Sequence, residues 1–97
     1  MSYWLHPEAE NDLISAAVFY AQQASSQVAS AFLTEFERVI TLLVWNPQLG
    51  NSVAEGIRVY PFHRFPYFVV YRDAEIGPRI YAIAHQKREP GYWRNRL

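Results

Sequence analysis

The sequence has no cysteine, only four glycines and no apolar run of membrane-spanning length. Without cysteine there is neither a disulfide framework nor a thiolate nucleophile, which fits a reducing compartment, and we expect the cytoplasm. The N-terminus lacks the basic and apolar regions of a signal peptide, so we expect no membrane association. The glycines form no phosphate-binding loop and the three histidines are scattered, so we expect no cofactor and no metal site.

Basic residues are almost missing from the first half of the chain. Residues 1–56 carry six acids and one base, whereas residues 57–97 carry eight bases and three acids, giving balances of −5 and +5 in a neutral chain. Seven of the eight bases are arginine, whose planar guanidinium bonds phosphate and carboxylate bidentately. This asymmetry favours an anionic partner for the second half. The alternative is that the arginines solubilise a sheet or pair with acids of the first half.

The first half predicts a short strand and two helices. Residues 3–6 favour a strand, and Pro7 suits the first turn of a helix over residues 8–23. Ser25-Ser26 breaks this helix and caps a second one that ends before Pro47. The core stripe of the second helix consists of Val28, Phe32, Phe36, Val39, Ile40 and Leu43. Charged residues are expected to cap the first helix (Glu8, Glu10, Asp12) or to face solvent on the second (Glu35, Glu37, Arg38).

The second half predicts three strands after a loop over residues 48–56. Residues 57–72 are rich in β-branched and aromatic residues, and their two prolines oppose a helix, so we expect a hairpin that turns near residues 63–65. Residues 79–85 alternate as a third strand, with one face formed by Ile80, Ala82 and Ala84 and the other by Tyr81, Ile83 and His85.

The order of elements is therefore β-α-α-β-β-β. Two consecutive helices followed by a run of antiparallel strands predict an α+β fold, in which the helical hairpin packs on one face of a small antiparallel sheet and the short first strand pairs at an edge. The length suits one domain, residues 1–97.

His85 ends the third predicted strand and is followed by further basic residues. Neighbouring cations favour a neutral imidazole, which can act as a general base and, on RNA, deprotonate a ribose 2′-hydroxyl while arginines stabilise the phosphate charge. The alternative is that His85 only caps the end of its strand by hydrogen bonding. The candidate catalytic residues are His85, Arg64 and Arg88.

Tyr92 and Trp93 in the C-terminal tail also have two interpretations. They either pack the tail against the sheet, as large aromatics near a chain end usually do, or offer a stacking platform to a partner. The candidate target-binding residues are Arg58, Arg64, His85, Lys87, Arg88, Tyr92, Trp93 and Arg94.

Several segments, in this order and spacing, resemble toxins of the RelE/ParE superfamily from bacterial type II toxin-antitoxin systems. The resemblance covers nearly the whole chain, through residues 7–13, 46–50, 56–58, 64–72 and 85–96. The fold of that family, two helices packed on an antiparallel sheet, agrees with the layout derived from periodicity. The resemblance implies a growth-inhibiting toxin of the plasmid-stabilisation type, bound in a hetero-oligomer by a cognate antitoxin that neutralises it.

The superfamily acts in two ways. RelE-like members cleave mRNA on the ribosome, and Arg64 and His85 fall where those members place some catalytic groups; ParE-like members inhibit DNA gyrase. The lysine-rich segment of the efficient nucleases is missing, since only Arg58 stands between the second helix and Arg64. The Arg-Phe-Pro-Tyr and Tyr-Trp motifs are typical of ParE-like chains, so the resemblance favours a gyrase-binding toxin that is not an enzyme. The alternatives are a ribosome-dependent endoribonuclease and a degenerate member that only binds its antitoxin.

Overall fold

The computed structural model describes residues 2–97. Two helices and five strands follow one another in a β-α-α-β-β-β-β order, and a 3₁₀ turn closes the tail. The elements are β1 (Trp4–Leu5), α1 (Pro7–Gln23), α2 (Ser26–Trp45), β2 (Asn51–Ala54), β3 (Ile57–Pro61), β4 (Tyr67–Arg72), β5 (Arg79–His85) and the turn Arg94–Arg96. Neither helix has both the length and the apolar character that crossing a bilayer requires.

Local sequence accounts for the ends of both helices. The α1 helix begins with Pro7 at its first position, and His6 Nδ1 accepts the hydrogen bond of the Glu8 amide. The Ser25 hydroxyl caps α2 by accepting from the Val28 amide, and α2 ends just before Asn46-Pro47. The predicted helical hairpin is therefore confirmed.

The sheet has the order β1-β5-β4-β3-β2. Strands β2 to β5 pair antiparallel, whereas β1 runs parallel to β5 at one edge, so the sheet is mixed rather than purely antiparallel. The predicted hairpin turn is confirmed: Arg64 stands at its tip with a φ of 70°, and the Phe62 amide bonds the Tyr67 carbonyl across it. The fold class is the predicted one.

The strand β2 was not predicted, because residues 51–54 lie in the segment expected to be a loop. The sequence Asn51-Ser52-Val53-Ala54 has neither alternation nor β-branched enrichment. It becomes a strand by pairing with β3 through a tight turn, in which Gly56 adopts a φ of 73°.

The helices cover one face of the sheet and the C-terminal tail covers part of the other. The α2 stripe around Phe32 packs with the aromatic residues of the β3–β4 hairpin, among them Phe62 and Phe65. On the opposite face a smaller cluster consists of Ile57, Val70, Ala82 and Trp93. This second core explains why both faces of β4 are apolar in sequence.

The predicted alternation along β5 is wrong at its start. Val70 pairs with Ala82 but Tyr71 pairs with Ile80, so Tyr81 is an extra residue in a β-bulge. The bulge turns Ile80 to the helix-covered face, where it packs in the same cluster as Ile83, while Ala82 remains on the opposite face.

Candidate functional site

Six of the eight basic residues of the second half divide between the two ends of the sheet, and the other two, Arg94 and Arg96, lie in the C-terminal tail. Tyr67 lies opposite His85 at one end of the β4–β5 pair, and Arg72 lies opposite Arg79 at the other. The β3–β4 turn joins the first end, because the Gln86 amide bonds the Pro66 carbonyl. We call this the basic end, and it consists of Arg64, His85, Lys87 and Arg88. At the opposite end lie Arg58, Arg72 and Arg79.

Arg58 is used to hold the loop between α2 and β2. Its guanidinium donates to the Gly50 carbonyl at 2.7 Å and to Gln48 Oε1 at 2.6 Å. The buried Tyr71 hydroxyl holds the same loop, donating to the Pro47 carbonyl and accepting from the Gly50 amide. Gly50 leaves no room for a Cβ, which would stand 2.7 Å from that hydroxyl. The structure therefore separates Arg58 from the other candidate target-binding residues.

His85 hydrogen bonds within its own turn. Its Nδ1 accepts from the Lys87 amide at 3.0 Å, its carbonyl accepts from the Arg88 amide, and its ring meets Tyr67 edge-on. A neutral imidazole whose Nδ1 accepts a hydrogen bond carries its proton on Nε2, so its second nitrogen is a donor. His85 therefore caps the end of β5 by hydrogen bonding, the second of its two interpretations. To act as a base through Nδ1, it would first have to break its hydrogen bond with the Lys87 amide.

Asp12 anchors the C-terminal tail on α1. Its Oδ2 accepts from Arg96 at 2.7 Å, from the Tyr92 hydroxyl at 3.1 Å and from the Ile83 amide at 3.1 Å. Asp12 and Arg96 both have largely buried side chains. Burial alone would lower the pKa of Arg96, but the hydrogen bond and charge of Asp12 outweigh it and raise that pKa. The expectation that Asp12 only caps the helix is therefore wrong, and pattern alone could not find its partners, which lie more than 70 positions away.

Tyr92 and Trp93 fix the tail against the sheet, the first of their two interpretations. Trp93 is only 5 % exposed and packs on the face opposite the helices. Burial, together with the neighbouring Asp12 carboxylate, raises the pKa of Tyr92 to about 12, so its hydroxyl stays a donor. The tail arginines use these rings as supports: Arg88 lies 4.0 Å from the Tyr92 ring centre and the exposed Arg94 lies 5.1 Å from that of Trp93.

Arg64 owes its position to a buried acid on α2. Glu35 is 8 % exposed, accepts the amide of His63 beside Arg64, and pairs with Arg38. The hydrogen bond from Arg38 lowers the pKa of Glu35 despite the opposing effect of burial. The expectation that Glu35 faces solvent is wrong. The spacing of Glu35 indicates its burial, because it follows Phe32 by three residues and therefore lies on the apolar face of α2.

A cleft of about 300 Å³ lies between α1 and β5 beside the basic end. We call it the α1–β5 cleft. The walls are polar and apolar side chains from both elements, with Arg88 from the tail: Asn11, Asp12, Ser15, Ala16, Phe19, Tyr67, Ile83, His85 and Arg88. Among residues 2–97, carboxylates pair only with Arg38 and Arg96. Arg64, Lys87 and Arg88 are thus exposed cations available to an anionic group.

Two apolar surfaces lie outside the basic end. On α1 the exposed residues are Ile14, Val18 and Phe19. Around the end of α2 and the edge strand β2, the exposed residues are Trp45, Leu49 and Val53. Exposed apolar surface beside an open strand edge is typical of protein interaction sites.

Comparison of the fold identifies its class. A chain of the chromosomal ParDE TA system from P. aeruginosa superposes with a TM-score of 0.75 and 22 % identity, and the match covers 88 % of the present chain and 95 % of that chain. This likeness places the chain in the class of folds to which that chain belongs. No curated protein sequence matches the chain.

The family follows from the sequence match. A family model described as the ParE toxin of the type II toxin-antitoxin system parDE matches residues 3–90. The matched range includes both helices, all five strands and the basic end. The chain therefore belongs to the ParE toxin family.

Proposed function

We propose that this chain is a cytoplasmic toxin that binds DNA gyrase, and that a cognate antitoxin neutralises it in a hetero-oligomer. The observation that carries the proposal is the basic end, where Arg64, Lys87 and Arg88 are exposed and have no carboxylate partner within residues 2–97. Next to them, the ring of His85 accepts a backbone hydrogen bond of the same turn. Such a surface suits electrostatic binding better than proton transfer.

We propose a smaller set of target-binding residues than the eight candidates from the sequence. Arg58 holds the α2–β2 loop and Trp93 is buried, so both support the fold rather than contact a target. We retain Arg64, His85, Lys87, Arg88 and Arg94 as the target contacts, with Tyr92 as the support of Arg88. The ParDE neighbour of the same fold and the match to the ParE family support an antitoxin partner.

A supercoiling assay tests the target. Purified toxin should inhibit gyrase, and the double variant Arg64→Gln, Arg88→Gln should inhibit at least about tenfold more weakly, since two charge-assisted contacts are lost. Arg79→Gln, which removes the same charge at the opposite end of the sheet, is the matched control. Failure of the wild-type protein to inhibit an active gyrase would reject this target.

Two other experimental results would identify the protein as one of the alternatives, an endoribonuclease or a degenerate member. If induction produces codon-linked cuts in translated mRNA that disappear in His85→Ala, the protein is a ribosome-dependent endoribonuclease. If expression without antitoxin leaves growth unchanged, while the purified chain still binds its antitoxin, the protein is a degenerate member.

A further inference from the structure

The outer edge of β5 is only partly paired. The short strand β1 pairs with Arg79 and Ile80 and goes no further. Beyond it, side chains take the place of a neighbouring strand: Arg96 donates to the Tyr81 carbonyl at 3.0 Å, and Asp12 accepts from the Ile83 amide at 3.1 Å. The side chains of Asp12 and Arg96 thus provide hydrogen-bond partners for the outer backbone groups of β5 as far as the Ile83 amide.

The next two backbone groups on this edge are the Ile83 carbonyl and the His85 amide. In an antiparallel pair alternate residues bond the neighbouring strand, and the Gln86 amide bonds the Pro66 carbonyl on the β4 side. Residues 82 and 84 therefore face β4, whereas the carbonyl of Ile83 and the amide of His85 face outward. Ile83 and His85 both line the α1–β5 cleft. An acceptor and a donor two residues apart are what an added strand requires.

The mouth of the cleft carries one firmly supported cation. The exposed Arg88 lies on the ring of Tyr92, whose hydroxyl donates to Asp12, so an anchored ring supports the guanidinium. Among the described residues that line the cleft, Asp12 alone carries a carboxylate, and its charge is paired with Arg96. Lys87 lies next to Arg88 in the same turn. Glu8 and Glu89 line a neighbouring cleft, which Arg88 also borders. The cleft therefore suits an anionic ligand at Arg88.

We propose that the α1–β5 cleft binds an acidic segment of the target protein in extended conformation. One residue of the segment pairs with the Ile83 carbonyl and the His85 amide, and a carboxylate of the segment bonds Arg88. The polar side chains of Asn11 and Ser15 form the opposite wall, and Phe19 provides an apolar contact at its rim. Tyr92 is a positioning residue for Arg88. The proposal rests on the proposed function, in that the toxin acts by binding a protein.

Selection from a library of short random peptides on the immobilised toxin tests the occupant. The selected peptides should be enriched in aspartate and glutamate, and should shift the amide resonance of His85 on titration. Arg88→Gln should weaken the best peptide about tenfold or more, through loss of a charge-assisted contact. The control Arg79→Gln should leave its affinity unchanged.

Exchanging the charges of residue 88 and of the peptide distinguishes a lost contact from a folding defect. Arg88→Glu should no longer bind the acidic peptide but should bind a version whose key carboxylate is replaced by lysine, and such a rescue requires a folded protein. The proposal is overturned if no acidic peptides are selected or if their binding is insensitive to residue 88. It is equally overturned if a single-stranded oligonucleotide, and not a peptide, binds in an Arg88-dependent manner. Gyrase inhibition that persists in Arg88→Glu would overturn this site while leaving the proposed target intact.

Discussion

Two acids with largely buried side chains, Asp12 and Glu35, connect parts of the molecule that are distant in sequence. Asp12 joins α1 to β5 and to the tail, and Glu35 joins α2 to the turn that presents Arg64. A buried carboxylate is costly unless all its oxygens are bonded to donors, and both residues meet this condition through an arginine and a backbone amide.

Asp12→Asn should destabilise the fold by about 2–4 kcal/mol, because it leaves the largely buried guanidinium of Arg96 without its counter-charge. The free energy of unfolding in urea measures this loss. The exposed Glu10, two positions earlier on the same helix, offers the control Glu10→Gln, which should stay near wild type. Equal effects of the two substitutions would contradict the anchoring role.

Glu35→Gln should cost about 1–2 kcal/mol at pH 7, since the amide loses the charge and places an NH2 donor where one carboxylate oxygen accepts a hydrogen bond. Because the folded-state pKa of Glu35 is lowered, its contribution is present above the ordinary value of 4.5 and is lost as the pH falls through the folded-state value. Urea unfolding at several pH values should therefore show the difference between wild type and variant shrinking in acid. A difference that is constant with pH would contradict the assignment, and Glu37→Gln on the exposed face of α2 is the control.

At the scale of elements, the C-terminal tail acts as a second layer for the sheet. Trp93 packs over Ile57, Val70 and Ala82 on the face that the helices leave open. A chain of this size has a total stability of about 5–15 kcal/mol, so one large aromatic on a small second core is a substantial part of it.

Trp93→Ala should therefore destabilise the protein by about 3–5 kcal/mol, through lost burial and the cavity that remains. The matched control is Trp45→Ala, since Trp45 is 78 % exposed and should contribute little. Thermal unfolding followed by circular dichroism distinguishes them. If both variants melt alike, the tail is not part of the core.

The strand edges differ in how they are protected. The β5 edge is covered in part by β1 and by the side chains of Asp12 and Arg96, whereas the β2 edge is the last strand of the sheet and carries the exposed Val53. An open edge with an apolar residue is a site for strand addition, so the β2 edge suits an extended antitoxin segment.

At the scale of the whole molecule, the basic end and the apolar surface around β2 lie on different parts of the fold. The basic end is formed by turns at one end of the sheet, while the exposed Trp45, Leu49 and Val53 lie around the end of α2 and the edge strand β2. This separation predicts that binding of the antitoxin and inhibition of the target can be altered independently.

Val53→Glu should weaken binding of the cognate antitoxin by at least about tenfold, because it places a charge in the apolar contact at the open β2 edge, yet it should leave gyrase inhibition unchanged. Titration calorimetry and the supercoiling assay measure the two effects. Gln27→Glu adds the same charge at an exposed polar position of α2 and is the control. Parallel loss of both activities would show that the two partners share one surface.

The sequence by itself determined the features that depend on neighbours along the chain. The helix ends follow from Pro7, Ser25 and Pro47, and the hairpin follows from the prolines and aromatics of residues 57–72. These signals are local because capping, helical periodicity and turn geometry act over a few residues. The division of charge between the halves was likewise visible.

Tertiary structure alone decided the features that depend on pairing between distant residues. Strand β2 exists because β3 provides a partner, and the bulge at Tyr81 exists because β5 must fit β4. The same holds for Asp12, whose partners lie at the other end of the chain, and for the basic residues, which the antiparallel register sorts to opposite ends of the sheet. Register is fixed by the packing of whole faces, so the position of a charge along a strand does not reveal which charges will stand beside it.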